Sequence, residues 1–256
     1  MTSVTVFVMF LLFSESHSFV LRQNRQAIIP TGNSQSPILA NLSETKYVEY
    51  PSFLFSIGDR EFTAFRAFNR NGETISIMPI LTNSKPLIVS GGCLTDFFTF
   101  QNADLHWSKS EHRFSKVNYI AEAYFIHKNL DTNETAVFAY FFKLADSQSQ
   151  ENNDETNGWD YVIQKFANNT NITIASGLSS LIKEKHDRFI HYMGSFTTEP
   201  LTEDAIWILV SSNMHVKDTS SNHFRKNIIT SNYRVMQSIN ARTVRRSFFS
   251  TSWNNS

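Results

Sequence analysis

Residues 101–114 read QNADLHWSKSEHRF. The first half alternates polar and apolar residues, as a half-buried strand does. Residues i and i+2 of a strand point to the same face, so Asp104 and His106 share one. A His two residues before His106 would make a pair of metal ligands; an acid stands there instead. On the stretch EAYFIHKN, which starts at Glu122, Glu122 and Tyr124 share a face by the same rule. Pairing of the two stretches in their simplest register brings Asp104, His106 and Tyr124 together. Three side chains from two strands, with water as fourth ligand, is how a tripodal catalytic zinc site is built.

The surrounding runs have the same character. Phe62–Phe68, Thr74–Ile80, Phe97–Leu105, Tyr119–His127, Ala136–Leu144 and Ala205–Val210 are short and rich in Phe, Tyr, Ile or Val. Most are bounded by Asn, Gly, Ser or Asp, which predicts a predominantly β fold. Modest polar turns between residues 97 and 144 predict antiparallel neighbours. Residues 146–158 form a polar, acidic loop. WDYVIQKF, from Trp159, predicts a short amphipathic helix, and SSLIKEKH, from Ser179, a second.

The 256 residues hold 23 Phe and carry no formal net charge. That is enough chain for one large domain, and the charge balance gives no footprint for nucleic acid or an anionic membrane. Val4–Phe13 is an apolar run too short to span a bilayer, and Ser16 and Ser18 suit a cleavage site. Residues 1–18 are therefore expected to be a signal peptide, with 19–256 the mature secreted chain. Asn41, Asn133, Asn168 and Asn171 each begin an N-x-[S/T] sequon, which is consistent with export. No other run is long and apolar enough to predict a membrane span. Cys93 stands alone and closes no internal disulfide; a small buried residue is its simplest reading.

In the order SQSPI from Ser34, RNGETISI from Arg70, SGGCL from Ser90, NADLHW from Asn102, SEH from Ser110, EAYFIHKN from Glu122, GSFTTEP from Gly194, IWIL from Ile206, NYR from Asn232 and NARTVRRSF from Asn240, the chain resembles the α-type carbonic anhydrase family over roughly residues 32–248. The resemblance implies a single domain, mainly β with short helices, on a large, mostly antiparallel twisted central sheet. It also implies a zinc site whose first ligand falls on Asp104, second on His106 and third on Tyr124. Two of the three ligand positions have thus changed. A carboxylate at Asp104 would raise the pKa of a zinc-bound water, and a phenol must first lose a proton that it holds to about pH 10.

Other positions follow from the same resemblance. Glu111 and Thr197 match the pair that orients the zinc-bound hydroxide. Glu122 matches the carboxylate behind the third ligand, and Asn102 takes the place of the Gln that holds the first. Ile126, Val137, Phe196 and Trp207 match the apolar wall of the carbon dioxide pocket. The proton-shuttle His falls on Glu73. The disulfide of secreted members is absent, with Leu201 at one of its positions, and the Trp- and Tyr-bearing stretch ahead of Q-S-P is missing.

The expectation is a degenerate zinc site and a secreted protein without hydratase activity or cofactor, with a binding or structural role toward an unknown protein or glycan ligand. The alternative is an active or weakly active zinc carbonate dehydratase with Asp104, His106 and Tyr124 as ligands. Arg242, Arg245 and Arg246, in RTVRRSF, are the local hint of an anionic partner; a solvated terminal strand is the plainer reading.

Overall fold

The computed structural model describes residues 32–56, 65–70, 74–80, 87–114, 117–145, 158–166, 171–174, 181–182, 186–227, 233–249 and 253. Within them the strands are β1 (Lys46–Tyr47), β2 (Phe53–Ser56), β3 (Phe65–Arg70), β4 (Thr74–Pro79), β5 (Ile88–Gly91) and β6 (Phe98–Trp107), then β7 (Ala121–Lys128), β8 (Thr135–Leu144), β9 (Asn171–Ile174), β10 (Phe189–Ser195), β11 (Glu203–Val216) and β12 (Arg245–Arg246). The helices are α1 (Gly158–Phe166) and α2 (Asp218–Asn227).

One mixed sheet runs in the order β1-β12-β10-β11-β8-β7-β6-β4-β3-β9, with β2 joined through β5 to β6. The β6–β7 and β7–β8 pairs are antiparallel, as the polar turns between them predict. The β8–β11 and β1–β12 pairs are parallel; the rest of the sheet is antiparallel, so a mainly antiparallel sheet is what forms.

The central strands are buried on both faces, and their parity divides the core. Ala103, Leu105, Phe125, Phe138, Tyr140 and Ile208 lie in one apolar cluster. The alternating neighbours Tyr124, Val137, Ala139, Phe141, Trp207 and Leu209 lie in a second. Because the period is two, β6 sends its polar residues at 102, 104 and 106 toward the second cluster. Register then sets who meets whom: Asp104 lies opposite Tyr124, His106 opposite Glu122, and Asn102 opposite Ile126. The row continues from Ile126 to Val137, Trp207 and Tyr192.

Helix α1 forms where WDYVIQKF predicts it. Trp159, Val162, Ile163 and Phe166 are buried at helical spacing. The Trp159 indole donates to the carbonyl of Leu181 (2.7 Å). Helix α2 was not foreseen; Lys217, just ahead of it, donates its N–H to the Asp160 carboxylate of α1 (2.9 Å). The helix expected from Ser179 falls mostly outside the described residues, as do the acidic loop up to residue 157 and the expected signal peptide. Among the described residues no helix is long and apolar enough to cross a membrane.

Candidate functional site

The Asp104 carboxylate, 4% exposed, accepts from the Ser76 hydroxyl of β4, and also from the Asn102 amide (3.0 Å). Asp104 is therefore held from its own strand and from the next. His106 is buried, with Nδ1 3.5 Å from Oε1 of Glu111. Its ring lies against that of Tyr124, centroids 4.5 Å apart. Tyr124 also packs edge-on to Trp207 (4.8 Å). Its hydroxyl donates to Oε2 of Glu111 at 2.5 Å. The other carboxylate oxygen of Glu111 accepts the backbone N–H of Arg234, also at 2.5 Å. The Arg234 guanidinium in turn donates to the Gln35 side chain (2.8 Å) and to the carbonyl of Ser36 (2.7 Å).

The Tyr124 phenol is pushed well above its ordinary pKa, first by burial and then by the Glu111 and Glu122 carboxylates. It is a neutral hydrogen-bond donor. The hydroxyl that reaches Glu111 is thus that of Tyr124, and among the described residues no hydrogen bond joins Glu111 to Thr197. The phenol of Tyr124 reaches from β7 to the loop carboxylate of Glu111.

Glu122 has its own set of donors. Its Oε2 accepts from the Ser110 hydroxyl (2.8 Å) and the N–H groups of Glu111 (2.8 Å) and His112 (2.9 Å), and its Oε1 from His112 Nδ1 (2.7 Å). Beyond the imidazole, His112 Nε2 lies 2.6 Å from the Tyr192 hydroxyl, which lies 2.8 Å from Ser36 Oγ. A carboxylate acceptor fixes the proton on Nδ1; in the neutral tautomer Tyr192 then donates to Nε2. In the sequence His112 figures only within the SEH motif, and this chain is not legible there. Glu122, fully buried, is satisfied without any contact to a metal ligand.

Ile126, Val137 and Trp207 share the face of Tyr124, with Trp207 donating its indole N–H to the Ser195 carbonyl (2.9 Å). Phe196 is half-buried, its N–H donating to the Thr202 carbonyl (2.9 Å). Glu73 and Asn168 lie outside the described residues. Asn41 caps a short 3-10 turn, Asn133 is exposed at a turn, and Asn171 is exposed at the start of β9. Cys93 is half-buried and its thiol is pushed up to about 12 by burial, which makes it an unreactive thiol.

Two guanidiniums of the Arg run are engaged by main-chain carbonyls. Arg242 donates to the carbonyls of Ile239, Met193 and Ser238, and Arg246 to those of Phe248, Leu42 and Thr45. These guanidiniums tie the C-terminal segment to β10 and to the turn before β1.

A large mixed sheet thus carries a buried polar cluster gathered from two neighbouring strands and their flanking loop. A family model for eukaryotic-type carbonic anhydrase matches residues 23–248. Similar proteins include mitochondrial carbonic anhydrase 5B of Rattus norvegicus, 26% identical over 86% of this chain and 76% of that protein. Carbonic anhydrase 7 of Mus musculus is 23% identical over 86% and 90% of the two chains. A carbonic anhydrase of Neisseria gonorrhoeae is 25% identical over 84% and 77%. This chain belongs to the eukaryotic-type carbonic anhydrase family.

The family's metal is zinc, and the residues at its place here do not fit it. Among the described residues no group of three or more His, Cys, Asp and Glu side chains is disposed to hold a metal ion. Of the three positions on which the resemblance places zinc ligands, one is a phenol with its proton committed to Glu111, and one is a carboxylate engaged by Ser76 and Asn102.

Proposed function

We propose that this protein keeps the carbonic anhydrase fold without carbon dioxide hydratase activity, is exported, and acts as a binding or structural protein toward a protein or glycan. The observation that carries the reading is the Tyr124–Glu111 hydrogen bond of 2.5 Å. It occupies at once a ligand position and the carboxylate that the catalytic hydroxyl pair needs. The Tyr124 ring, wedged between His106 and Trp207, also takes up space in which metal, water and carbon dioxide would meet. Export is supported by the apolar run Val4–Phe13 with Ser16 and Ser18 after it.

The test is direct. Protein purified without chelator is assayed for zinc by elemental analysis and for carbon dioxide hydration by stopped flow. The expected result is substoichiometric zinc and a rate equal to buffer. Stoichiometric zinc with turnover blocked by a zinc-binding sulfonamide would replace this reading with that of an active zinc lyase. The double substitution Asp104→His with Tyr124→His is expected to create zinc binding, because two imidazoles would then join His106 on one face.

A further inference from the structure

The turn between β7 and β8 is fixed by hydrogen bonds. Asn129 donates its N–H to the Glu134 carbonyl (3.0 Å) and accepts that of Asn133 (2.9 Å). Its side-chain oxygen accepts the N–H groups of Asp131 and Thr132, both at 2.9 Å, and its amide nitrogen donates to Asp96 (3.2 Å). Asn133 stands on this rigid turn at φ 64°, a left-handed conformation that Asn tolerates, and is exposed.

Asn133 begins the sequon Asn133-Glu134-Thr135. Three of the chain's sequon asparagines are described, and two of them have their amides committed. Asn41 accepts from the Ser43 hydroxyl (2.9 Å) and donates to Glu44 (2.9 Å). Asn171 accepts from Arg66 Nε (3.0 Å) in a strand paired with β3. Among the described residues no hydrogen bond engages the Asn133 side chain.

The same end of the sheet exposes two large apolar side chains, Leu130 at 70% and Phe97 at 66%. Thr99 pairs with Lys128, so Phe97 and Leu130 each lie two residues beyond that pair, just outside the ends of β6 and β7. The Asn129–Asp96 hydrogen bond holds the two segments together there. An exposed Phe and an exposed Leu at one end of the sheet are apolar surface that a covering group would shelter. The C–H face of a pyranose suits that surface, and its hydroxyl rim suits water.

We propose that Asn133 carries an N-linked oligosaccharide and that its first sugars cover Phe97 and Leu130. In the transfer, Nδ2 of Asn133 attacks the anomeric carbon of a lipid-pyrophosphate-linked oligosaccharide. The N–C bond forms, the C–O bond to the pyrophosphate breaks, the lipid pyrophosphate leaves, and the amide proton passes to a base of the transferase. The proposal rests on the export reading above.

The experiment expresses the full chain in a eukaryotic secretory host, once with its own N-terminus and once behind an added established leader. Amidase release of glycans in heavy-oxygen water, followed by peptide mass spectrometry, is expected to place labelled Asp at 133 in most molecules. An exported protein with unlabelled Asn133 overturns the proposal. Label at 133 only when the leader is added shows that the turn accepts the glycan, but it removes the export reading and with it the modification of the natural chain. Asn133→Gln is expected to bind a hydrophobic dye several-fold more than the parent, and Phe97→Ser with Leu130→Ser to restore the parent level. Equal dye binding by Asn133→Gln and parent overturns the covering role.

Discussion

Tyr124 and Glu122 show how one substitution reorganises a buried polar site without leaving a group unsatisfied. The Tyr124 hydroxyl is a donor to a buried carboxylate, and such hydrogen bonds contribute about 1.5–3 kcal/mol. Tyr124→Phe keeps the ring packed on His106 and Trp207 and removes only that donor. We expect a loss of about 2 kcal/mol in urea unfolding with no change in the slope of the transition. A variant as stable as the parent would mean that Glu111 is served by another donor. Glu122 offers a stronger case, because its two oxygens receive four hydrogen bonds. Glu122→Gln turns one acceptor into a donor facing donors, and roughly 3 kcal/mol of destabilisation is expected. Circular dichroism of the Glu122→Gln variant at rising urea concentration measures it.

Elements place these residues, and some of them were legible in advance. Alternation in residues 97–105 and 119–127 announced β6 and β7, and the short polar turns announced their antiparallel pairing. The opposition of Asp104 and Tyr124 follows from that pairing. Helix α2 was not legible, since DTSSNHFRKN contains one large apolar residue and has no amphipathic stripe; its start is fixed by the Asp160 side chain from α1. Strand β10 (FIHYMGS) was read only as part of a motif, because residues of both parities are buried. The partner of Glu111 was hidden for another reason: it depends on how far a side chain reaches from a strand into a loop. Strand β10 also carries a prediction. A Cβ on Gly194 would lie 2.2 Å from Ser36 Oγ and 2.7 and 2.8 Å from the rings of Trp207 and Tyr192. Gly194→Ala would press the segment at Ser36 away from β10 and separate Ser36 from the Tyr192 hydroxyl. Overpacking of this kind costs about 1–3 kcal/mol. A lowered melting temperature and faster amide exchange at Ser36 and Ser195, whose N–H groups bond across this contact, are expected; unchanged exchange would place the strain elsewhere.

At the scale of the whole molecule, a sheet buried on both faces takes histidines out of water as well as apolar groups. His127 and His191 are each held at about pKa 4, against 6.5 when unburied, chiefly because burial penalises the imidazolium. His127 Nδ1 donates to the Phe125 carbonyl (3.0 Å), which opposes the shift, while the nearby His186 adds to it. His191 lies in the same way near the Trp207 carbonyl, with Arg245 as the neighbouring cation. The unfolded chain binds protons at these sites as pH falls through 6.5, and the folded chain does not until about 4. Protons therefore favour the unfolded state between those limits, and stability falls as pH falls, by up to about 1.4 kcal/mol per pH unit for each histidine. Above pH 6.5 both are neutral in either state and contribute no slope. Denaturant unfolding at pH 7, 6, 5 and 4.5 is expected to show a decline that begins near 6.5. His191→Asn and His127→Asn each keep a side-chain donor near the carbonyl but cannot take up a proton, so each is expected to reduce the slope between pH 6 and 4.5. If neither substitution changes that slope, the protons that destabilise the fold bind at other sites, and the neutral state of these two buried imidazoles is not what the acid limit measures.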